Sequence, residues 1–208
     1  MIVFGGTFDP IHNGHIHCAN AIAAIFKDEP VHLMLAKDPN LKNTPVASTE
    51  HRWQMLQLGC ESNPQLVPDD FEMRREGKST TVRTAQELRG SKMAPIIWVI
   101  GSDAAASVEH WREQSLLSEH LSFLVVKRPN FLSDPVIKNF RQVAEPAELK
   151  TESGLYFVLE QKMLSLSSTE IRSQAFAGLY INGLVPYSVY RYIRTHSLYL
   201  DDQAAISD

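Results

Sequence analysis

The stretch Gly5-Gly6-Thr7-Phe8-Asp9-Pro10-Ile11-His12-Asn13-Gly14-His15 follows the short apolar run Ile2-Val3-Phe4 and precedes the helix-like run Cys18 to Phe26. An order of strand, glycine-rich turn and helix start predicts a phosphate cradle. Paired glycines bring backbone close to an anion with no Cβ in the way, and a helix start offers N–H groups with a partial positive charge. His12 and His15 fall at the same point. An imidazole donates hydrogen bonds to phosphate oxygens, and its charge is adjustable near neutral pH. The Walker lysine and the spacing G-x-G-x-x-G are both absent, so the pattern needs neither. A plain tight turn and a zinc pair formed by His12 and His15, with His17 nearby, stay open as readings. Against zinc, no Glu separates the histidines, and Cys18 and Cys60 form no Cys-x-x-Cys pair.

Strand-like apolar runs recur at Ile2 to Phe4, Val31 to Leu35, Ile96 to Ile100, Leu121 to Val126 and Tyr156 to Leu159, mostly with helix-like segments between them. That alternation predicts an α/β fold with a doubly wound, mainly parallel sheet covered on both faces. Ligands in such sheets bind beyond the carboxyl ends of the strands, where the motifs lie. A chain of 208 residues with 44% hydrophobic content buries roughly 70% of its unfolded surface as one domain. The expectation is a single domain over residues 1–208, with a closing helical segment at about 165–200. A net charge of −4 gives no basic footprint, so neither nucleic acid nor an anionic membrane is an expected partner. No apolar run approaches the ~20 residues that cross a bilayer, and two cysteines build no disulfide framework. A reduced, cytoplasmic setting follows as the expectation.

Between Lys37 and Val46, Asp38-Pro39-Asn40 and Thr44-Pro45 break regular structure and read as a mobile loop. Ser48 or Thr49 caps a helix running to Cys60, which Asn63-Pro64 ends. Phe71 to Arg75 reads as a further strand before the turn at Glu76-Gly77, and Ser79, Thr80 and Thr81 supply caps for a helix through Leu88. Gly101-Ser102-Asp103 places a carboxylate at a strand end beside a helix start at Ala104, as a ligand contact or as a cap. Trp111 stacks on a flat heterocycle or fills the core. At Ser165-Leu166-Ser167-Ser168-Thr169-Glu170-Ile171-Arg172, Ser167 and Glu170 stand at capping-box spacing. The segment is a capped helix or a second phosphate site, in which the Arg172 guanidinium clamps two oxygens.

The first stretch resembles the signature of the nucleotidyltransferase superfamily that shares a His-x-Gly-His motif and, within it, the bacterial nicotinate mononucleotide adenylyltransferases. The second resembles the superfamily's Ile-Ser-Ser-Thr-x-Ile-Arg motif, with Leu166 in the isoleucine position. Gly101-Ser102-Asp103 is similar to the family's Gly-x-Asp segment, and Tyr192 to Tyr199 to its closing helix, so the resemblance spans almost the whole chain. Val125-Val126-Lys127-Arg128-Pro129 is a weaker match. The family often carries Pro-Pro-His in the loop after the second strand and Ser-Tyr-Thr further on. This chain has Leu41 in place of that histidine and Thr80 in place of that tyrosine.

The resemblance implies a Rossmann-like fold and adenylyl transfer from ATP, carried with Mg2+, to nicotinate mononucleotide, with release of pyrophosphate. It implies that His12, His15 and Arg172 are catalytic, and that Gly5, Gly6, Thr7, Gly14, Gly101, Asp103, Ser168 and Thr169 bind ATP and its phosphates. Lys42, Thr81 and Trp111 are implied to hold the mononucleotide; no residue is expected to form a protein metal site. Nicotinamide mononucleotide, phosphopantetheine and an inactive nucleotide-binding regulatory module stay open as alternatives, as does assembly into a homo-oligomer. A truncated class I aminoacyl-tRNA synthetase is disfavoured, since the chain lacks a Lys-Met-Ser-Lys-Ser match.

Overall fold

Alternation at period two is what makes the strands. In Ile96–Gly101, Ile97 and Val99 face one apolar cluster while Ile96, Trp98 and Ile100 face another. In Leu121–Val126, Leu124 and Val126 go to the first cluster and Phe123 and Val125 to the second. Both faces are therefore buried, as a parallel sheet requires. The computed structural model describes residues 1–37, 44–77, 79–91, 95–127, 135–160 and 164–200. Its strands are β1 (Ile2–Gly6), β2 (Val31–Leu35), β3 (Leu66–Asp69), β4 (Ile96–Gly101), β5 (Leu121–Val126), β6 (Arg141–Gln142) and β7 (Leu155–Leu159). They form one parallel sheet in the order β3-β2-β1-β4-β5-β7-β6.

The helices are α1 (Asn13–Ile25), α2 (Thr49–Cys60), α3 (Thr81–Ser91), α4 (Ser102–Ala105), α5 (Gln114–His120), α6 (Ser168–Phe176) and α7 (Tyr187–Thr195). Buried residues of α1, α2, α6 and α7, such as Ile22, Met55, Ile171 and Ile193, join the first cluster. Val82 and Leu88 of α3 and Leu117 of α5 join the second. Full burial of each such aliphatic side chain stabilises the fold by about 1.5–3 kcal/mol. The two clusters cover the two faces of the sheet, so the doubly wound arrangement expected from the alternation is observed.

Several boundaries differ from expectation. Phe71–Arg75 is a turn, not a strand: the Phe71 N–H donates to Asp69 Oδ1 at 2.9 Å and the Met73 N–H to the Asp70 carbonyl at 2.9 Å. The strand of that region is β3, an edge strand, which is where Pro68 is tolerated without breaking a ladder. The two-residue β6 forms the opposite edge. Helix α1 begins at Asn13, inside the first motif, and α4 begins at Ser102, so Asp103 lies within its first turn. Ser48 caps α2 by accepting from the His51 N–H at 3.2 Å, and Thr80 caps α3 by accepting from the Arg83 N–H at 3.3 Å. Cys18 and Cys60 are buried thiols.

Sheet order reverses between β1 and β4, which lie side by side with Phe4 opposite Val99. At such a switch point the two following loops part to opposite faces and leave a crevice at the carboxyl ends of the strands. Gly5-Gly6 and Gly101 end the two strands that flank it.

Candidate active site

Two histidines close the N-terminus of α1 on each other. His12 Nδ1 accepts from the His15 N–H at 3.3 Å, and His15 Nδ1 accepts from the His12 N–H at 3.3 Å. This is a capping box built from imidazoles. A neutral imidazole that accepts at Nδ1 carries its proton on Nε2, so the cap sets one tautomer in both neutral rings. A second proton, on Nδ1, would face an N–H and break the cap. The rings stack with centroids 3.6 Å apart and planes 21° apart. Phe8 meets His15 edge-on at 5.1 Å.

Glycines make room for these rings. A Cβ on Gly14 would stand 2.9 Å from His12 Nδ1, and one on Gly6 would stand 2.7 Å from the Phe8 ring. Phe8 itself holds a left-handed φ of 47°, a conformation that costs about 1–3 kcal/mol and collects at functional sites. The glycine pair thus serves side-chain packing as well as backbone approach to an anion.

The second motif docks on the first from more than 150 residues away. Ser167 caps α6, its Oγ accepting from the Glu170 N–H at 3.1 Å. The next hydroxyl, Ser168 Oγ, donates to the Pro10 carbonyl at 3.0 Å, and Arg172 Nη1 donates to the Asp9 carbonyl at 2.7 Å. Arg172 Nη2 also donates to Thr169 Oγ1 at 3.3 Å. Asn13, at the start of α1, donates through its side chain to the Gly183 carbonyl at 2.7 Å.

A cleft of about 1470 Å³ opens over the switch point. Ordinary small-ligand pockets hold roughly 300–1,000 Å³, so this one has space for two nucleotide-sized molecules. Gly5, Gly6, Thr7, His12, Gly14 and His15 line it from β1 and α1; Gly101 and Asp103 from β4 and α4; Ser168 from α6; Thr81 and Trp111 from the far side. Trp111 Nε1 donates to Ser107 Oγ at 3.4 Å, and its ring meets Phe123 edge-on at 6.2 Å. Glu72, buried, accepts from the Thr84 hydroxyl at 2.7 Å and also lines the cleft. Arg172 and Thr169 do not line the cleft; they brace the loop behind it. Lys42, Leu41 and Arg128 lie outside the described residues.

A model of the cytidylyltransferase-like family matches residues 3–174. The chain belongs to that family. It is 34% identical over 205 residues to the "Probable nicotinate-nucleotide adenylyltransferase" of Pectobacterium atrosepticum, covering 94% of this chain and 96% of that protein. The protein of the same name from Hahella chejuensis is 35% identical over 208 residues, covering 96% of this chain and 95% of its own length. Among solved structures, Plasmodium falciparum nicotinic acid mononucleotide adenylyltransferase complexed with NaAD shares the fold, with a TM-score of 0.72 at 20% identity. That alignment covers 95% of this chain and 96% of the other.

Beneath the motifs, this cytidylyltransferase-like chain carries a polar layer that sequence reasoning missed. Asp9, 3% exposed, accepts from the Val46 N–H at 2.8 Å, the Ala47 N–H at 3.1 Å and the Tyr199 hydroxyl at 2.7 Å. Arg52, 1% exposed, donates from Nη1 to the Thr7 and Ala36 carbonyls at 2.9 and 2.8 Å. Its Nη2 donates to the Lys37 carbonyl and Thr49 Oγ1, both at 3.1 Å. Burial lowers the Arg52 guanidinium from its ordinary value, and the Asp9 charge pulls it partly back. Burial and then Asp9 push the Tyr199 hydroxyl up, so it stays a donor. A signal for Arg52 was present: it shares the helical stripe 52, 55, 56, 59, 60 with Met55, Leu56, Gly59 and Cys60, all buried.

Proposed function

We propose that this chain transfers an adenylyl group from ATP to nicotinate mononucleotide. A 5′-phosphate oxygen of the mononucleotide attacks the α-phosphorus of ATP. The bond from that phosphorus to the β-phosphate bridging oxygen breaks, and nicotinate adenine dinucleotide and pyrophosphate leave. The observation that carries this reading is the docking of two phosphate-binding motifs on one another at the mouth of a two-substrate cleft. Its relatives' names support the acceptor.

The nucleophile is already an anion, so no side chain has to deprotonate it. Catalysis rests on alignment and on donors placed where charge accumulates. In this reading the Nε2–H groups of His12 and His15 donate to phosphate oxygens, and the Gly5-Gly6 backbone, Thr7 and Gly14 surround them. Gly101 and Asp103 take the ATP side, and Ser168 takes the leaving pyrophosphate from the first turn of α6, while Thr169 accepts from Arg172 behind it. Arg172 holds that turn against Asp9, so its contribution is made through the loop in the geometry seen here. Trp111 stacks on the pyridine ring. Thr81 stands in the first turn of α3, where N–H groups favour an anion, which suits a pyridine carboxylate.

Among the described residues, no group of three or more His, Cys, Asp or Glu converges as a metal cage. Mg2+ takes its ligands from substrate phosphates plus one or two carboxylates, and Asp103 fits that need at the cleft wall. Bound with ATP, the ion neutralises phosphate charge. Among the described residues no helix is long and apolar enough to cross a membrane, and we place the reaction in the cytoplasm.

Pyrophosphate release measured across nicotinate mononucleotide, nicotinamide mononucleotide and phosphopantetheine tests the reading. Release should depend on an added acceptor and be fastest with nicotinate mononucleotide. ATP binding with no acceptor-dependent release would mark a regulatory module instead. His15→Ala should lower kcat by about 10²–10³, the usual cost of one well-placed donor. Trp111→Ala should raise the mononucleotide KM far more than the ATP KM; equal effects would return Trp111 to the core.

A further inference from the structure

From the geometry beneath the cleft we infer that Arg52 is a positioning residue for the phosphate-binding loop, and that the inference rests on the adenylyl-transfer reading for its substrates. Arg52 does not itself line the cleft, but it grips the backbone of two residues that do, Thr7 and Ala36. Its Nη1 spans two carbonyls on different strands' ends: Thr7, in the first motif, and Ala36, just past β2. Its Nη2 holds Lys37 and Thr49 Oγ1, so one side chain joins the loop after β1, the exit of β2 and the start of α2.

Nothing about simple packing calls for a cation here. Arg52 lies on the apolar stripe of α2, nearly sealed from water, with Nε lacking any hydrogen-bond partner. No carboxylate forms a direct ion pair with it among the described residues; Asp9 acts on it through space. A buried charge of that kind is costly, and an apolar residue of similar volume often does as well or better for stability. What an apolar residue cannot do is hold three backbone carbonyls at once. A planar fork of donors can, and a lysine ammonium cannot reproduce its spread.

The carbonyl that Arg52 grips belongs to Thr7, whose neighbours Gly6 and Phe8 set the place of His15. A loose Thr7 therefore moves the donors relative to the triphosphate, while the Trp111 end of the cleft stays as it is. The grip also approximates the two stems of the segment that leaves at Lys37 and returns at Val46, since Asp9 of the same loop fastens Val46 and Ala47. Both stems are thus pinned to the first motif by side chains that do not themselves face substrate.

The test uses full-length Arg52→Lys, Arg52→Gln and Thr49→Val. Steady-state pyrophosphate release gives kcat and both KM values, calorimetry gives ATP affinity without turnover, and thermal melts report folding. Arg52→Lys should lose about 10-fold or more in kcat and weaken ATP binding, since small misplacements of catalytic groups are this costly. Its mononucleotide KM should stay within about 3-fold of wild type, because Trp111 and Thr81 are not tied to Arg52. Should the arginine variants fail to fold, Thr49→Val, which removes one prong, should show the same split at about 2- to 5-fold in kcat. Wild-type kcat and ATP affinity in folded variants with lowered melting temperature would overturn the inference, as would equal loss for both substrates. Absence of acceptor-dependent release in the wild type would instead overturn the reaction itself, while the ATP affinities would still decide the role of Arg52.

Discussion

Gly14→Ala separates helix stability from catalytic geometry within a single methyl group. The residue lies in the first turn of α1, where replacing glycine by alanine ordinarily stabilises a helix by up to about 1 kcal/mol. Here the added Cβ would stand 2.9 Å from His12 Nδ1, 3.0 Å from His12 Cε1 and 3.4 Å from Leu166 Cβ. The first distance is one that real Cβ contacts do not show. His12 cannot yield freely, because its Nδ1 caps the His15 N–H and its ring stacks on His15 at 3.6 Å. Moving it by a few tenths of an ångström strains or breaks the cap, a loss of about 1 kcal/mol that cancels the helix gain. The melting temperature should then change by no more than about 2 °C for a chain of this size. Catalysis should not be spared, since a displaced donor costs about 10–10² in kcat. Thermal melts and pyrophosphate release at saturating ATP and mononucleotide measure the two effects on one preparation. A variant that melts higher by the full helix gain and turns over at the wild-type rate would refute the crowding argument, and with it the claim that the cap holds His12 in place.

Further outcomes follow from the buried layer. Tyr199→Phe removes a donor from the Asp9 carboxylate and should cost about 1–3 kcal/mol in urea unfolding; an unchanged midpoint would mean that Val46 and Ala47 suffice. Burial pushes the Cys60 thiol up to about 12 from 9.0. Both states keep that proton below pH 9, and only the unfolded state releases it as pH rises from there toward 12. Stability should therefore fall across that window at up to about 1.4 kcal/mol per pH unit from this group. At pH 8 Cys60 should react with a thiol reagent only as fast as the protein opens, and rapid labelling of the folded protein would contradict its burial.

Periodicity made much of the sheet legible. Val31–Leu35 and Leu121–Val126 could be bounded to the residue because each is an apolar run, interrupted only by His32 or Ser122, that feeds both faces of the sheet. Leu66–Asp69 could not, since an edge strand with Pro68 lacks that run. Phe71–Arg75 misled for the opposite reason: Phe71 and Met73 alternate with polar residues, yet Asp69 and Asp70 capture the local N–H groups and curl the segment into a turn. The start of α1 was read too late, at Cys18, because a histidine is not an ordinary helix cap and its partner is another histidine three residues on.

The site divides in a similar way. The motifs together with the family resemblance they carry named His12, His15, Gly14, Asp103 and Ser168, and those side chains or their backbone line one cleft. Arg172 was legible as a member of the second motif, but its placement against the Asp9 carbonyl depends on how α6 docks. Asp9, Arg52 and Tyr199 were invisible as a group, being spread over positions 9, 52 and 199.

Local chemistry decides whatever a few neighbouring residues can settle among themselves: strand alternation, the glycine-rich turn, the helix caps and the residue types that meet a phosphate. Those determinants lie within a helical turn or a strand's length, so the order of residues carries them. Which carbonyl receives Arg172, what surrounds Arg52 and how Tyr199 reaches Asp9 depend on contacts across 190 residues or fewer of intervening chain. Only the assembled sheet with helices docked on both faces sets those distances, because a buried polar group takes whatever partner the packing brings to it.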